Sequence, residues 1–362
     1  MLKRPSLIVA ALAALALAAC QSAAPTAAPT APAATAAPAP TEPAATAAPA
    51  ATTAPTEVAT VAPAPTAAPA ETTQAAIGAT KVITDANGAS LEVPADPQRI
   101  VVVTQEALDV LLTLGVKPVG ITNGQGQTAP PAYLADQVAG IEVVGDMMRP
   151  NIESVAKLKP DLILAGDMTE EYHGDALKQL RAIAPTVITT VYGETWQQHL
   201  QRIATITGRE AQAQQALDAY AKKVADVKAK LGANAGAEVS IVRWNPNGPS
   251  FMDKDQFASA VLADLGLVRP ANQRVEGHAH SAPLSLEKIG EIDGDWMFIG
   301  TLSPAGEDVD AMKSAMDSPL FQQLKAVKNG HVVPMDGAVW STLGGPVAAD
   351  KVVDAVAAAL AK

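Results

Sequence analysis

The stretch EAQAQQALDAYAKKVADVKAKL, from Glu210 to Leu231, decides how the rest of the chain is read. It holds no proline and no glycine. Ala213, Leu217, Tyr220, Val224, Val227 and Leu231 fall at steps of four and three, which sets them on one face of a helix. Gly208 precedes the stretch, and Gly232 follows it as a stop signal. At ~1.5 Å per residue such a helix is roughly 33 Å long, the width of a small domain. It can be packed in a core, or it can be a strut between two lobes. The strut reading gains weight from the similar material on its two sides.

On the N-terminal side, Lys81 to Asp85 and Ser90 to Val93 flank Asn87-Gly88, a hairpin signal. Arg99-Ile100-Val101-Val102-Val103 is a β-branched run of the kind buried on both faces of a sheet. A helix is expected from Glu106 to Leu114. Strands follow at Pro118–Ile121, Val143-Val144, Leu162–Ala165 and Val187–Thr189, with helices at Ile152–Leu158 and Ala176–Ala184. The C-terminal side repeats the habit. Strands are expected at Val239–Val242, Trp296–Ile299 and Val332–Pro334, and helices at Phe257–Leu265 and Pro346–Leu360. Gly344-Gly345-Pro346 reads as the start of that last helix, with proline in its first turn. Strands alternating with helices predict a parallel, layered α/β fold in each half.

The halves also share a motif. Glu153 is followed at offsets of two, five and eight by Val155, Leu158 and Asp161, then by Leu162-Ile163-Leu164. Glu287 is followed at the same offsets by Ile289, Ile292 and Asp295, then by Trp296-Met297-Phe298. Each copy reads as a Glu near a helix start, an Asp turn and a buried strand, a two-fold repeat of lobes.

The N-terminus differs. Lys3 and Arg4 precede an apolar run from Leu7 to Ala19, a secretion signal too short for the ~20 residues a bilayer requires. Leu17-Ala18-Ala19-Cys20 resembles the lipobox of bacterial lipoproteins, in which the cysteine takes a lipid. Cys20 is the single cysteine of the chain, so no intramolecular disulfide can form. Residues 21 to 76 are almost wholly Ala, Pro and Thr and hold eleven of the 28 prolines. Such a segment buries too little apolar area to offset its ordering entropy and reads as an extended stalk. The expected organisation is a signal peptide over 1–19, a lipidated cysteine and disordered stalk over 20–80, an N-terminal lobe over 81–208, a connecting helix over 209–232 and a C-terminal lobe over 233–362.

Removing Lys3 and Arg4 with the signal takes the formal charge from −11 to −13, against any nucleic-acid partner. No nucleophile elbow, P-loop or His-Glu-x-x-His is present, and no thiol remains once Cys20 is lipidated. A binding protein is therefore favoured over an enzyme.

Pro150-Asn151-Ile152-Glu153, Leu158-Lys159-Pro160-Asp161-Leu162-Ile163, Leu262-Ala263-Asp264-Leu265-Gly266-Leu267 and Leu286-Glu287-Lys288-Ile289 together resemble the iron-siderophore and cobalamin substrate-binding lipoproteins of ABC importers, a helical-backbone (class III) periplasmic-binding-protein family. The resemblance covers Pro97 to Leu360. It implies an α/β fold of two Rossmann-like lobes joined by one long rigid helix, with the ligand in the cleft between them. It implies a monomer that captures a ferric siderophore and hands it to a permease and its ATPase. The ferric chelate would be cargo, and no cofactor is expected. Cobalamin, haem and a stand-alone surface sensor are the alternatives. One Glu on each lobe of such proteins meets arginines of the permease, and Glu153 and Glu287 match those positions. Both also suit a helix first turn through the macrodipole.

Ligands of α/β folds sit at the carboxyl ends of strands. That rule nominates Thr104, Gln105, Asn123 and Gln125, then Arg149 before the Glu153 helix, Arg243 and Trp244 after Val242, and Thr301 and Trp340. Arg243 is the first choice, since a cation and aromatic platforms suit anionic chelates. His278 and His280 are two apart, but a closed metal site requires three or four ligands and no others are evident. The plainer reading is a polar loop at the cleft, which adds His280 to the expected ligand contacts.

Overall fold

The computed structural model describes residues 79–361 apart from Asp167. The signal, Cys20 and the Ala/Pro/Thr segment up to Gly78 lie outside the described residues.

The chain opens with an antiparallel hairpin, β1 (Thr80–Thr84) and β2 (Ser90–Pro94). Gly88 turns it with a φ of +82°, a conformation that costs glycine nothing. β3 (Ile100–Val102) leads into α1 (Gln105–Thr113), and β4 (Gly120–Asn123) follows. Next come α2 (Ala135–Val138), β5 (Glu142–Asp146), β6 (Arg149–Pro150) and α3 (Ile152–Lys157). β7 (Leu162–Ala165), α4 (Glu170–Ile183), β8 (Thr186–Ile188) and α5 (Trp196–Thr207) complete the first half. Its sheet has the order β6-β5-β4-β3-β7-β8, parallel except for the short edge strand β6.

α6 (Glu210–Lys228) is the helix read from the opening stretch. Ala213, Tyr220, Val227 and Leu231 are buried, with Leu217 and Val224 partly so. β9 (Val239–Asn245) and β10 (Gly248–Phe251) then form a second antiparallel hairpin across Pro246-Asn247. α7 (Phe257–Asp264), β11 (Trp296–Gly300), α8 (Glu307–Met316), α9 (Lys325–Lys328) and β12 (Val332–Pro334) build the second half. The sheet order is β10-β9-β11-β12, with β9, β11 and β12 parallel. α10 (Gly337–Trp340) and α11 (Pro346–Leu360) close the chain. The sheets are thus mixed, each carrying one antiparallel edge strand. α5 carries a capping box, Thr195 with Gln198, and Gly208 ends it in the left-handed conformation.

The duplicated motif has a duplicated job. The Asp161 carboxylate accepts from the backbone N–H of Gln98 and Arg99, at the start of β3. The Asp295 carboxylate accepts from Glu238 N–H, at the start of β9. Each aspartate also returns its own N–H, to Arg99 O and Glu238 O. β3 pairs with β7 and β9 with β11 in parallel, so each Asp pins the register at which its sheet begins. The copies differ in one respect: Glu153 opens an α-helix, whereas Glu287 lies in a 3-10 segment, Leu286–Ile292.

Lys159 sits between the α3 motif and Asp161 with φ +46°, the one described non-glycine residue in the left-handed region. A Cβ is disfavoured there by roughly 1–2 kcal/mol. Lys159→Gly is expected to raise stability by about 0.5–1 kcal/mol, read as a rise of a few degrees in Tm.

The lobes are joined by more than α6. α1 and α11 pack together, and one apolar core runs from Leu108 and Leu111 through Ile203 and Tyr220 to Val352, Val353 and Val356. Lys223 of α6 pairs with Asp354 of α11 at 2.8 Å, and Tyr220 Oη donates to Asp264 of α7 at 2.7 Å. Buried Asp109 of α1 accepts from the N–H groups of Val347 and Ala348, both at 2.9 Å, at the start of α11. One helix was expected between the lobes; the structure adds a shared helical core. The apolar α1 face, read only as a lobe-internal helix, is what makes it.

Candidate functional site

Parallel strands leave their loops at one end, and the two sheets turn those ends toward a common cavity of about 390 Å³. The first lobe contributes Thr104, Gln105 and Glu106 where β3 passes into α1, Gln125 after β4, and Met147 and Met148 between β5 and β6. Met168 comes from the β7–α4 connection and His173 from the start of α4, while Tyr192 to Thr195 come from the β8–α5 connection and Trp196 and His199 from α5. The second lobe contributes Arg243 on β9, Asp255 to Phe257, the loop His278 to His280, and Ser341 to Gly344 before α11.

Arg243 lies inside β9, two residues before its end, because the hairpin with β10 prolongs the strand. Its guanidinium donates to His280 Nε2. His280 Nδ1 stands 2.9 Å from the Ser281 carbonyl, which can only accept. The ring is therefore the Nδ1–H tautomer, with Nε2 as a lone pair that holds the arginine in place. Burial lowers the Arg243 guanidinium from its ordinary value, and nearby Asp308 works against that.

On the facing wall His199 is buried, and burial lowers it to about 4, so it is neutral near pH 7. Its Nε2 meets the Thr190 hydroxyl. Glu194 is lowered from the usual carboxylate value chiefly by Arg202, which donates to both its oxygens. Gln105 donates to Ala338 O at 3.0 Å and to Thr342 Oγ1 at 3.1 Å, tying the cavity floor across the lobes. Two further contacts bridge the rims. His278 N–H donates to Tyr192 Oη at 3.0 Å with the rings edge to face, and Gln127 Nε2 donates to Leu302 O at 2.9 Å.

Of the nominated residues, Thr104, Gln105, Arg243 and His280 converge on the cavity, as does Gln125. Asn123 pairs with Asp146 in the sheet and does not line it. Arg149 is exposed on the edge strand, one residue beyond the lining methionines. Thr301 is buried and donates to Ser303 O at 2.6 Å. Trp244 is 2% exposed among Val242, Phe251 and Met297, and Trp340 stacks on Phe298 at 4.4 Å; both lie in cores. The aromatic residues at the cavity are instead Tyr192, Trp196 and Phe257. The same strand-end rule would have found the first two had it been applied after Val187–Thr189. His278 and His280 make separate contacts, and among the described residues no group of three or more His, Cys, Asp or Glu is arranged to hold a metal ion.

A family profile described as periplasmic binding protein matches residues 100–339. A Bacillus subtilis protein, described as the probable siderophore-binding lipoprotein YfiY, is 34% identical over 279 residues, covering 75% of this chain and 85% of the relative. Among solved structures, Staphylococcus aureus SirA complexed with staphyloferrin B superposes with a TM-score of 0.67 at 26% identity, over 78% of this chain and 98% of that one. Bacillus subtilis FeuA, described as a triscatecholate siderophore binding protein and complexed with ferri-bacillibactin, gives 0.63 at 25%, over 77% and 96%.

Proposed function

The chain belongs to the periplasmic binding protein family, and from that premise we propose that it captures a ferric siderophore outside the cytoplasmic membrane and delivers it to an ABC permease. The observation that carries the reading is the cavity of about 390 Å³ walled by strand ends of both lobes. It falls within the ~300–1,000 Å³ of small-ligand sites. Relatives described as siderophore-binding, and solved structures complexed with siderophores, support iron chelates over other cargo.

In this reading Arg243, fixed by His280, meets residual negative charge on the chelate, while Thr104 and Gln105 form the floor. Glu153 and Glu287 meet permease cations. Cys20 takes the lipid, and the segment after it tethers the lobes to the membrane. α6 and the shared core keep the lobes at nearly constant separation, so capture proceeds with little closure. The transport energy comes from the partner ATPase.

Titration with iron-loaded and iron-free chelators tests this through tryptophan fluorescence. Trp196 lines the cavity and is the natural reporter. Saturable quenching is expected with the iron-loaded forms, and Trp196→Phe should remove most of it. Arg243→Ala should weaken a negatively charged chelate about tenfold. Unchanged affinity would take Arg243 out of the site, and absence of quenching by any iron chelate would end the iron reading.

A further inference from the structure

The charge of the cavity wall bears on which chelate it accepts, an inference that rests on the iron-chelate reading above. Among the described lining residues one arginine, Arg243, stands with three carboxylates, Glu106, Glu194 and Asp255, and no lysine. Arg202, behind Glu194, is committed to that carboxylate and to the Thr189 carbonyl. Asp308 of the second lobe, again negative, is close enough to act on Arg243. The wall therefore offers no surplus of positive charge.

The floor is polar but uncharged. Thr104 Oγ1, Gln105 Oε1 and Trp196 Nε1 are buried without a protein hydrogen-bond partner. Buried groups of this kind are costly unless something pairs with them, and a ligand's amide, carbonyl or hydroxyl groups would do so.

Ferric iron bound by three hydroxamates is neutral, because each hydroxamate carries one negative charge. Two hydroxamates and an α-hydroxycarboxylate leave a single negative charge at the metal. Three catecholates carry two charges each and leave a trianion. A trianion entering a cleft must give up hydration for a wall that cannot balance it, whereas a neutral chelate gives up little. We propose that this site selects ferric chelates of the trihydroxamate or dihydroxamate–hydroxycarboxylate class and discriminates against tricatecholates. Arg243 answers one residual negative charge, not three.

The test is fluorescence titration of the full chain at pH 7.5 with ferrichrome, a neutral trihydroxamate, and ferric enterobactin, a tricatecholate. Ferrichrome should bind at least about a hundredfold more tightly, with little dependence on salt. Met148, exposed at the cavity mouth, offers a site for added charge. Met148→Lys should strengthen ferric enterobactin about tenfold. Ferric enterobactin binding as well as ferrichrome would overturn the charge inference and leave the iron-chelate reading standing. Indifference of ferric enterobactin to Met148→Lys would also overturn it. Binding of neither chelate would overturn the charge inference, while the iron-chelate reading would still be decided by the wider panel of iron-loaded chelators.

Discussion

Glu153→Ala combined with Glu287→Ala is expected to abolish uptake while chelate affinity stays within about twofold of the parent chain. Both residues are exposed in first helical turns of the duplicated motif, one on each lobe. Neither lines the cavity. Glu153 has a partner at home, Lys157 at 2.9 Å, but an exposed i,i+4 pair is worth only about 0.3–0.5 kcal/mol and yields readily to a better one. Two charges at separate points fix the orientation of a docked partner as well as its affinity. Truncating one side of a charge pair buried on docking costs about 2–5 kcal/mol. Losing both should therefore reduce transport of radiolabelled iron chelate in cells below about one-hundredth of normal. The single variants should each fall between. Normal uptake by the double variant would sink the docking assignment, and loss of chelate binding would show that the damage is to the fold.

The second large effect belongs to Asp109. α11 starts at Gly345-Pro346, where no side chain of its own caps the exposed N–H groups. Asp109 does so from the opposite lobe, accepting from Gly345 at 3.3 Å and from Val347 and Ala348 at 2.9 Å. Asp109→Ala strands these donors in a dry place. The expected loss is about 3 kcal/mol, roughly 5–10 °C in Tm for a folded part of this size. Asp109→Asn keeps an acceptor and should lose about 1 kcal/mol. The two variants also differ from the parent in their pH response. Burial pushes the Asp109 carboxyl up from 3.8 to about 6, against the pull of the helix N–H groups and Tyr133. Between about pH 4 and 6 the folded state holds a proton that the unfolded state has released. This group's contribution to stability therefore rises as pH falls through 6. Melting curves from pH 7.5 to 4 should show that gain in the parent chain and not in Asp109→Asn, relative to one another. A constant offset between them would contradict the assignment.

Much of the architecture is legible in residue order because its signals are local. β-branched runs, the Asn-Gly turn and the spacing of apolar residues in α6 each act within a dozen residues. The repeated offsets after Glu153 and Glu287 are legible for a further reason: Asp161 and Asp295 perform the same backbone pairing in each half. The cavity was less legible. Whether a strand end reaches the cleft depends on long-range placement, so Asn123 satisfied the rule without lining the cavity, and Thr301 turned its hydroxyl to Ser303 O. Trp244 and Trp340 went to cores, where a large apolar ring gains most. α5 escaped notice because its polar residues are frequent and its buried face is supplied partly by Trp196 and His199. The role of Asp109 could not be read at all, since its partners lie more than two hundred positions away.

The apolar core that runs from α1 through α6 to α11 carries one more implication. A bilobed shape invites cutting the gene at Gly208 to express each half alone. Each half would then expose to water a face that the other normally covers, including Leu108 and Leu111 on one side and Val352 and Val353 on the other. The two halves are therefore expected to melt in one cooperative transition and not to fold as separately expressed pieces.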